Sequence, residues 1–144
     1  MKPLLKGRVA VVAGAGRGIG RAISLAFARE GARLILAART ESELADTAAS
    51  CREAGTTSLP VVTDISNWNE VERLASTAIE DAGQVDILVN TAGVYGPIGP
   101  TAEVDPVAWT RAAGINLFGP LYLCRAFLPH LIERRQGKII LMGG

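Results

Sequence analysis

Apolar positions fall along this chain in two rhythms. Short, mostly apolar runs at residues 9–13, 34–38, 59–62, 85–89 and 138–142 predict strands, the first rich in β-branched residues and read as buried. Between them apolar residues recur at helical spacing. Ile19, Ala22, Ile23, Ala26 and Phe27 mark a first helix that Gly31 closes. Thr40 followed by Glu43 has the form of a capping box, so a second helix is expected from there to about Ala54. Ser66 or Asn67 can cap a third, whose apolar face is Val71, Leu74, Ala75, Ala78 and Ile79 and which Gly83 ends. Residues 91–100, rich in Gly and Pro, read as a loop. Asp105-Pro106 then opens a long helical stretch to about Arg135. Gly114, Gly119, Pro120 and Pro129 lie inside it and predict a kink or break at no definite position. Pro60 makes the third strand an edge strand.

Strand alternates with helix throughout, with no linker, repeat or low-complexity tract. Helices of this length between buried strands imply right-handed crossovers and a parallel sheet covered on both faces. The 144 residues suit one domain, 1–144.

Composition narrows the function. The chain is 49% hydrophobic and 20% charged, which argues against disorder. A formal net charge of +1 gives no electrostatic case for nucleic acid or an anionic membrane surface. The basic cluster Arg134, Arg135 and Lys138 reads as a solvated helix end. Cys51 and Cys124 form no Cys-x-x-Cys pair and His130 is the single histidine, so no zinc spacing exists. Reduced, near-core thiols are expected. No segment reads as a membrane span or a signal peptide, and a cytoplasmic protein is expected. Trp68 and Trp109 near helix starts, and His130, are expected to pack; Tyr95 lies in the loop at the sheet edge where ligands bind.

The chemistry is concentrated in one turn. Gly14, Gly16, Gly18 and Gly20 stand directly between the first strand and the first helix. In that context glycines let the backbone approach a pyrophosphate, and the helix N-terminus offers unpaired N–H groups and partial positive charge. The spacing Gly14-x-x-x-Gly18-x-Gly20 is the form used by the short-chain dehydrogenase/reductases, and other segments resemble that family in order. Asp64, after the third strand, with Ile65 beside it, matches the acidic residue that contacts adenine. Asp86-Ile87-Leu88-Val89-Asn90-Thr91-Ala92-Gly93 resembles the family's strand ending in Asn-Asn-Ala-Gly. Asn116 matches the helix asparagine of the catalytic tetrad. Gly137-Lys138-Ile139-Ile140 is similar to the strand leading to the catalytic serine.

The resemblance implies a Rossmann-type doubly wound α/β sheet, here ending after its fifth strand. It implies a cofactor site of Gly14, Gly16, Arg17, Gly18, Ile19, Gly20, Arg39, Asp64, Ile65, Asn90, Ala92 and Gly93, and a catalytic role for Asn116. NADP is the expected cofactor and NAD the runner-up. An NAD-preferring site carries an acid at the end of the second strand, whereas this chain has Ala38 there and Arg39 next, with Arg17 in the glycine turn. The implied substrate is a small alcohol or carbonyl compound, and a homo-oligomer is expected.

Departures bear on activity. Ala13 stands where the family usually has Thr, removing a hydroxyl that steadies the turn, and Thr91 replaces the second Asn. The catalytic serine should fall at or next to Gly144, yet Gly143 and Gly144 are both glycine. No Tyr-x-x-x-Lys occurs: Tyr95 is followed at that spacing by Gly99 and Tyr122 by Ala126. Two functions are therefore expected: the cofactor-binding front part of an NADP-dependent oxidoreductase, inactive by itself, or a non-catalytic dinucleotide-binding sensor or subunit.

Overall fold

The computed structural model describes residues 2–143. Five strands form one parallel sheet, β1 (Val9–Ala13), β2 (Arg33–Ala38), β3 (Ser58–Val62), β4 (Ile87–Asn90) and β5 (Lys138–Leu141), in the spatial order β3-β2-β1-β4-β5. The helices α1 (Gly18–Arg29), α2 (Glu41–Glu53), α3 (Trp68–Ala82), α4 (Pro106–Ala113) and α5 (Gly119–Arg134) connect them. The sheet's central strands show why a continuous apolar run is needed. Val9, Val11, Ala13, Ile35, Ala37 and Leu88 face one core with Val71, Leu74 and Ala78 of α3 and Leu123 and Phe127 of α5. The alternate residues Ala10, Val12, Leu34, Leu36, Ile87 and Val89 face the other, against Ala28 of α1 and Leu44, Ala48 and Cys51 of α2. A strand buried on both faces has no polar side, which is the doubly wound pattern the sequence predicts.

Pro60 lies on β3 at the sheet's edge, paired in register with Leu36 and with no strand on its outer side among the described residues, as expected. Asn67 caps α3 through its Oδ1, which accepts from the Glu70 N–H at 3.3 Å, and Gly83 ends it in the left-handed conformation. Asp105 caps α4 with Pro106 at the first turn.

Two expectations are corrected. Thr40 stands at the N-cap of α2 but makes no side-chain capping bond, so the capping box does not form. β4 runs Ile87–Asn90 rather than from Val85: the Val85 N–H donates to His130 Nε2 and its carbonyl accepts from Arg134, so its backbone is bonded to side chains and not to a strand. The kink or break expected in the long helix takes the form of a π-helical turn rather than a gap in the helix. Residues Gly114–Phe118 form a π-helical turn that carries α4 directly into α5. Pro120 then falls in the first turn of α5, where its missing N–H is tolerated. The resulting run, Pro106–Arg134, has 29 residues and an 18-residue window of mean hydropathy 1.2, long and apolar enough to cross a membrane by length and composition. A core helix passes the same test. Here Ile115, Leu123, Phe127 and Leu131 are buried in the protein, while Leu117, Leu121 and Ile132 lie on the exposed side.

Candidate cofactor site

A cavity of about 380 Å³ opens at the C-terminal ends of the strands. It is bounded by the glycine turn after β1 (Gly14 and Gly16 to Gly20), the end of β2 with Arg39, Thr40 and Glu43, the segment after β3 (Thr63 to Ile65) and the loop after β4 (Thr91 to Val94). The chain crosses from β3 to β4 on the other side of β1, so the cavity sits where the strand order reverses, the place where open α/β sheets bind ligands.

The turn after β1 is fixed first by backbone. The N–H groups of Gly14 and Ala15 both donate to the Ala37 carbonyl, at 2.9 and 3.1 Å. Gly14 has φ +80°, and a Cβ there would lie 2.5 Å from Thr91 Oγ1 and 2.6 Å from the Ala92 nitrogen. A Cβ on Gly20 would collide with the Gly14 carbonyl oxygen. These two glycines are demanded by packing among the turn, α1 and the end of β4. Gly18 is different. Its φ is +56°, in the left-handed region, and a Cβ there would meet nothing within 4 Å, so backbone conformation and not packing asks for glycine. α1 starts at Gly18 without a side-chain cap from Arg17, which leaves first-turn N–H groups available to an anion.

Ala13 does not leave the turn slack. The Thr91 hydroxyl lies 3.0 Å from the Ala13 carbonyl and 3.3 Å from that of Gly14, and donates into this pair. The hydroxyl that β1 lacks is supplied from the end of β4, so the two departures from the family pattern compensate each other. Thr47 of α2 lies 3.3 Å from the Gly16 carbonyl and supports the turn from the other side.

Around the cavity, Asp64 is oriented by Ser66, whose N–H and hydroxyl both donate to its Oδ1 at 2.9 and 2.7 Å. Ile65 is buried under it and packs where Gly119 of α5 has no side chain. Ile19, Ala92 and Gly93 complete the lining. Arg17 and Arg39 line the cavity from exposed positions, and neither makes an ion pair among the described residues.

Two of the expected site residues stand outside the lining. Asn90 is buried behind it; its Oδ1 accepts from the Ala92 N–H at 3.1 Å, and its Nδ2 is buried without a partner among the described residues. Asn116 lies in the π-helical turn and clamps the loop after β4: its Oδ1 accepts from the Val94 N–H at 2.9 Å and its Nδ2 donates to the Val94 carbonyl at 2.6 Å. Val94 itself lines the cavity. A π turn is a frequent device at functional sites because it re-aims one side chain. Gly144 lies outside the described residues.

The short chain dehydrogenase family model matches residues 8–143. The chain belongs to this family. The short chain dehydrogenase pigC of Monascus ruber is 36% identical over 146 residues, covering 97% of this chain and 48% of that protein. A metagenomic short-chain oxidoreductase crystallised in complex with NADP superposes with a TM-score of 0.91 at 36% identity, over 95% of this chain and 62% of that one. NAD+-bound xylitol dehydrogenase superposes with a TM-score of 0.92 at 29% identity, over 96% and 53%. The chain thus spans about half the length of the curated relatives it matches.

For a short-chain dehydrogenase the cavity passes a physical test for a nicotinamide dinucleotide. An uncapped helix start beside an open Gly18 suits the diphosphate, and the Asp64 carboxylate at the far wall has one oxygen held by Ser66 and the other left to accept from an amine. Sequence reasoning missed several lining residues, among them Thr40, Glu43, Thr63, Val94 and Ile115. Glu43, which by spacing is half of a capping box, lines the cavity instead. No sequence signal separates the two roles, since both require a carboxylate three residues after Thr40.

Proposed function

We propose that this chain forms the NADP(H)-binding part of an oxidoreductase that transfers a hydride between the cofactor and a small alcohol or carbonyl compound. The observation that carries the cofactor choice is the pair Arg17 and Arg39 on a cavity whose strand-end position is Ala38 rather than an acid. A guanidinium pairs well with a 2′-phosphate, in planar, charge-assisted geometry. The dinucleotide, when bound, supplies the hydride at its nicotinamide C4. The protein's part is to hold it: the glycine turn and the start of α1 receive the diphosphate, Asp64 the adenine, and Ala92, Gly93 and Val94 form the wall after β4. Asn116 fixes that wall through Val94. An amide pair of this kind keeps one N–H and one lone pair in reserve, enough to hold a water for a proton relay. The exposed apolar side of the 106–134 helix, with Leu121 and Ile132, supports a homo-oligomer.

The test is a titration of NADP+ and NAD+ into the protein as its gene encodes it, then into Arg39→Ala. NADP+ should bind more tightly by roughly tenfold or more, the worth of one charge-assisted pair. The variant should lose that margin with NAD+ affinity unchanged. Equal affinities in the parent refute the preference. The second reading is a dinucleotide-binding sensor or subunit without catalysis. Reading the coding sequence past codon 144 separates the two: Tyr-x-x-x-Lys there supports the enzyme and a stop codon the binder.

A further inference from the structure

We infer that Glu43 is the acceptor for the adenosine ribose hydroxyls, standing in from α2 for the acid missing at the end of β2, and that it keeps NAD(H) bindable in a site otherwise built for NADP(H). The inference rests on the dinucleotide reading of the cavity and adds a residue to it.

Three observations converge. Glu43 is half-buried and lines the cavity together with Arg17, Ala38, Arg39 and Thr40. Its Oε2 and Cβ each lie 3.2 Å from where a Cβ on Gly16 would stand, and the Ala38 Cβ lies 3.4 Å from that same point. The carboxylate is therefore folded over Gly16 and beside Ala38, at the strand-end position where an acid would receive the ribose. Finally, the local duty that would hold Glu43 elsewhere is not taken up: Thr40 makes no capping bond, and no described residue forms an ion pair with the Glu43 carboxylate. A Cβ at Gly16 would press on the Glu43 side chain, so the bare glycine leaves the carboxylate its place.

The chemistry is set by charge. An ionised carboxylate accepts from two vicinal hydroxyls at once, and each such bond is charge-assisted. The same carboxylate disfavours a 2′-phosphate by like-charge repulsion, which Arg17 and Arg39 oppose from the same wall. The site therefore contains both signs, and its discrimination between the two dinucleotides is the difference of two large effects.

The experiment measures dissociation constants for NAD+ and NADP+ by fluorescence or calorimetry, on the protein as encoded, Glu43→Gln, and the double variant Glu43→Gln with Ala38→Asp. Thermal unfolding is run in parallel to show that each variant folds. Glu43→Gln should weaken NAD+ by about tenfold and leave NADP+ unchanged or tighter. Moving the acid to the strand end in the double variant should restore NAD+ binding. Equal weakening of both dinucleotides, or no change in either, overturns the assignment while leaving the cofactor reading intact. Binding of neither dinucleotide by the parent overturns both.

Discussion

Asp86 shows how one residue fixes where the sheet begins. Its carboxylate is 3% exposed and accepts from the Val9 N–H and Gln84 Nε2, both at 2.9 Å, with Arg134 Nη2 at 3.2 Å and Arg8 Nη1 at 3.5 Å. It thereby ties the starts of β1 and β4 to the end of α5. Burial raises its pKa and is the largest single effect. The bonds from Val9, Arg134 and Gln84 and the charge of Arg134 together outweigh it and hold the carboxyl below its usual value. A depressed folded pKa contributes stability above the unfolded value, about pH 4, and loses it as pH falls through the folded one. Asp86→Asn should therefore cost about 3 kcal/mol near neutrality, the low end for breaking a buried pair, because Arg8 and Arg134 can still reach water. Denaturant melts from pH 7 down to about pH 2 should show the gap to the parent holding to about pH 4 and closing below it. A gap that stays constant with pH would show that the charge contributes nothing. His130, Cys51 and Cys124 have quieter roles. His130 Nε2 accepts from the Val85 N–H at 3.0 Å, an interior support for the turn before β4. Burial pushes both free thiols up in pKa, which keeps them unreactive.

The glycine turn and α1 make a stricter test, because Gly18 and Gly20 are required for different reasons. Alanine is favoured over glycine inside a helix by about 1 kcal/mol. At Gly20 that gain is overwhelmed, since a Cβ would collide with the Gly14 carbonyl and force α1 off the turn. Gly20→Ala should lose both stability, by about 1–3 kcal/mol as for other overpacked sites, and dinucleotide binding. Gly18→Ala meets no atom and bears only the left-handed backbone penalty of about 1–2 kcal/mol. It should fold yet bind the dinucleotide weakly, because Gly18 lines the cavity and the close backbone approach there is lost. Thermal unfolding and cofactor titration on the two variants check this; wild-type binding by Gly18→Ala would show that the diphosphate does not approach there. These elements also mark what the sequence discloses. Order and type of every strand and helix were legible, because a strand buried on both faces and an amphipathic helix write different periods. Gly83 and Asp105 were legible as caps, and Asn67 as one of two candidates with Ser66. What escaped depends on contacts distant in sequence. The π-helical turn is where Gly114 and Gly119 meet Ser66 and Ile65, and Thr91 bonds a carbonyl 78 positions away. The cavity role of Glu43 is decided by Gly16, 27 positions before it by the numbering.

At the scale of the whole molecule, the sheet has β5 at one lateral edge. Among the described residues β5 pairs with β4 on one side only, and Ile140, Leu141 and Met142 are each more than 40% exposed. The helix 106–134 exposes Val107, Leu117, Leu121 and Ile132. A strand edge with unpaired backbone groups and an exposed apolar helix face each offer a template for a second chain. A polypeptide of these 144 residues should therefore self-associate, as a dimer or as larger species. It should also fail to turn over alcohols or carbonyls. A positioned acid/base contributes typically about 10²–10⁴-fold, and no Tyr-x-x-x-Lys is present to provide one. Asn116 cannot replace it, since an amide neither gives up nor takes a proton near neutral pH and its side chain is already engaged with Val94. Effects of residues acting as a unit do not multiply, so the expectation is loss of turnover rather than a fixed factor. Light scattering on the purified polypeptide, with NADPH oxidation assayed over a panel of ketones and aldehydes, checks both halves. A stable monomer would refute the claim about the edge. Cofactor-dependent turnover above a buffer control would refute the claim of inactivity, and would mean that a proton donor outside the Tyr-x-x-x-Lys pattern reaches the cavity.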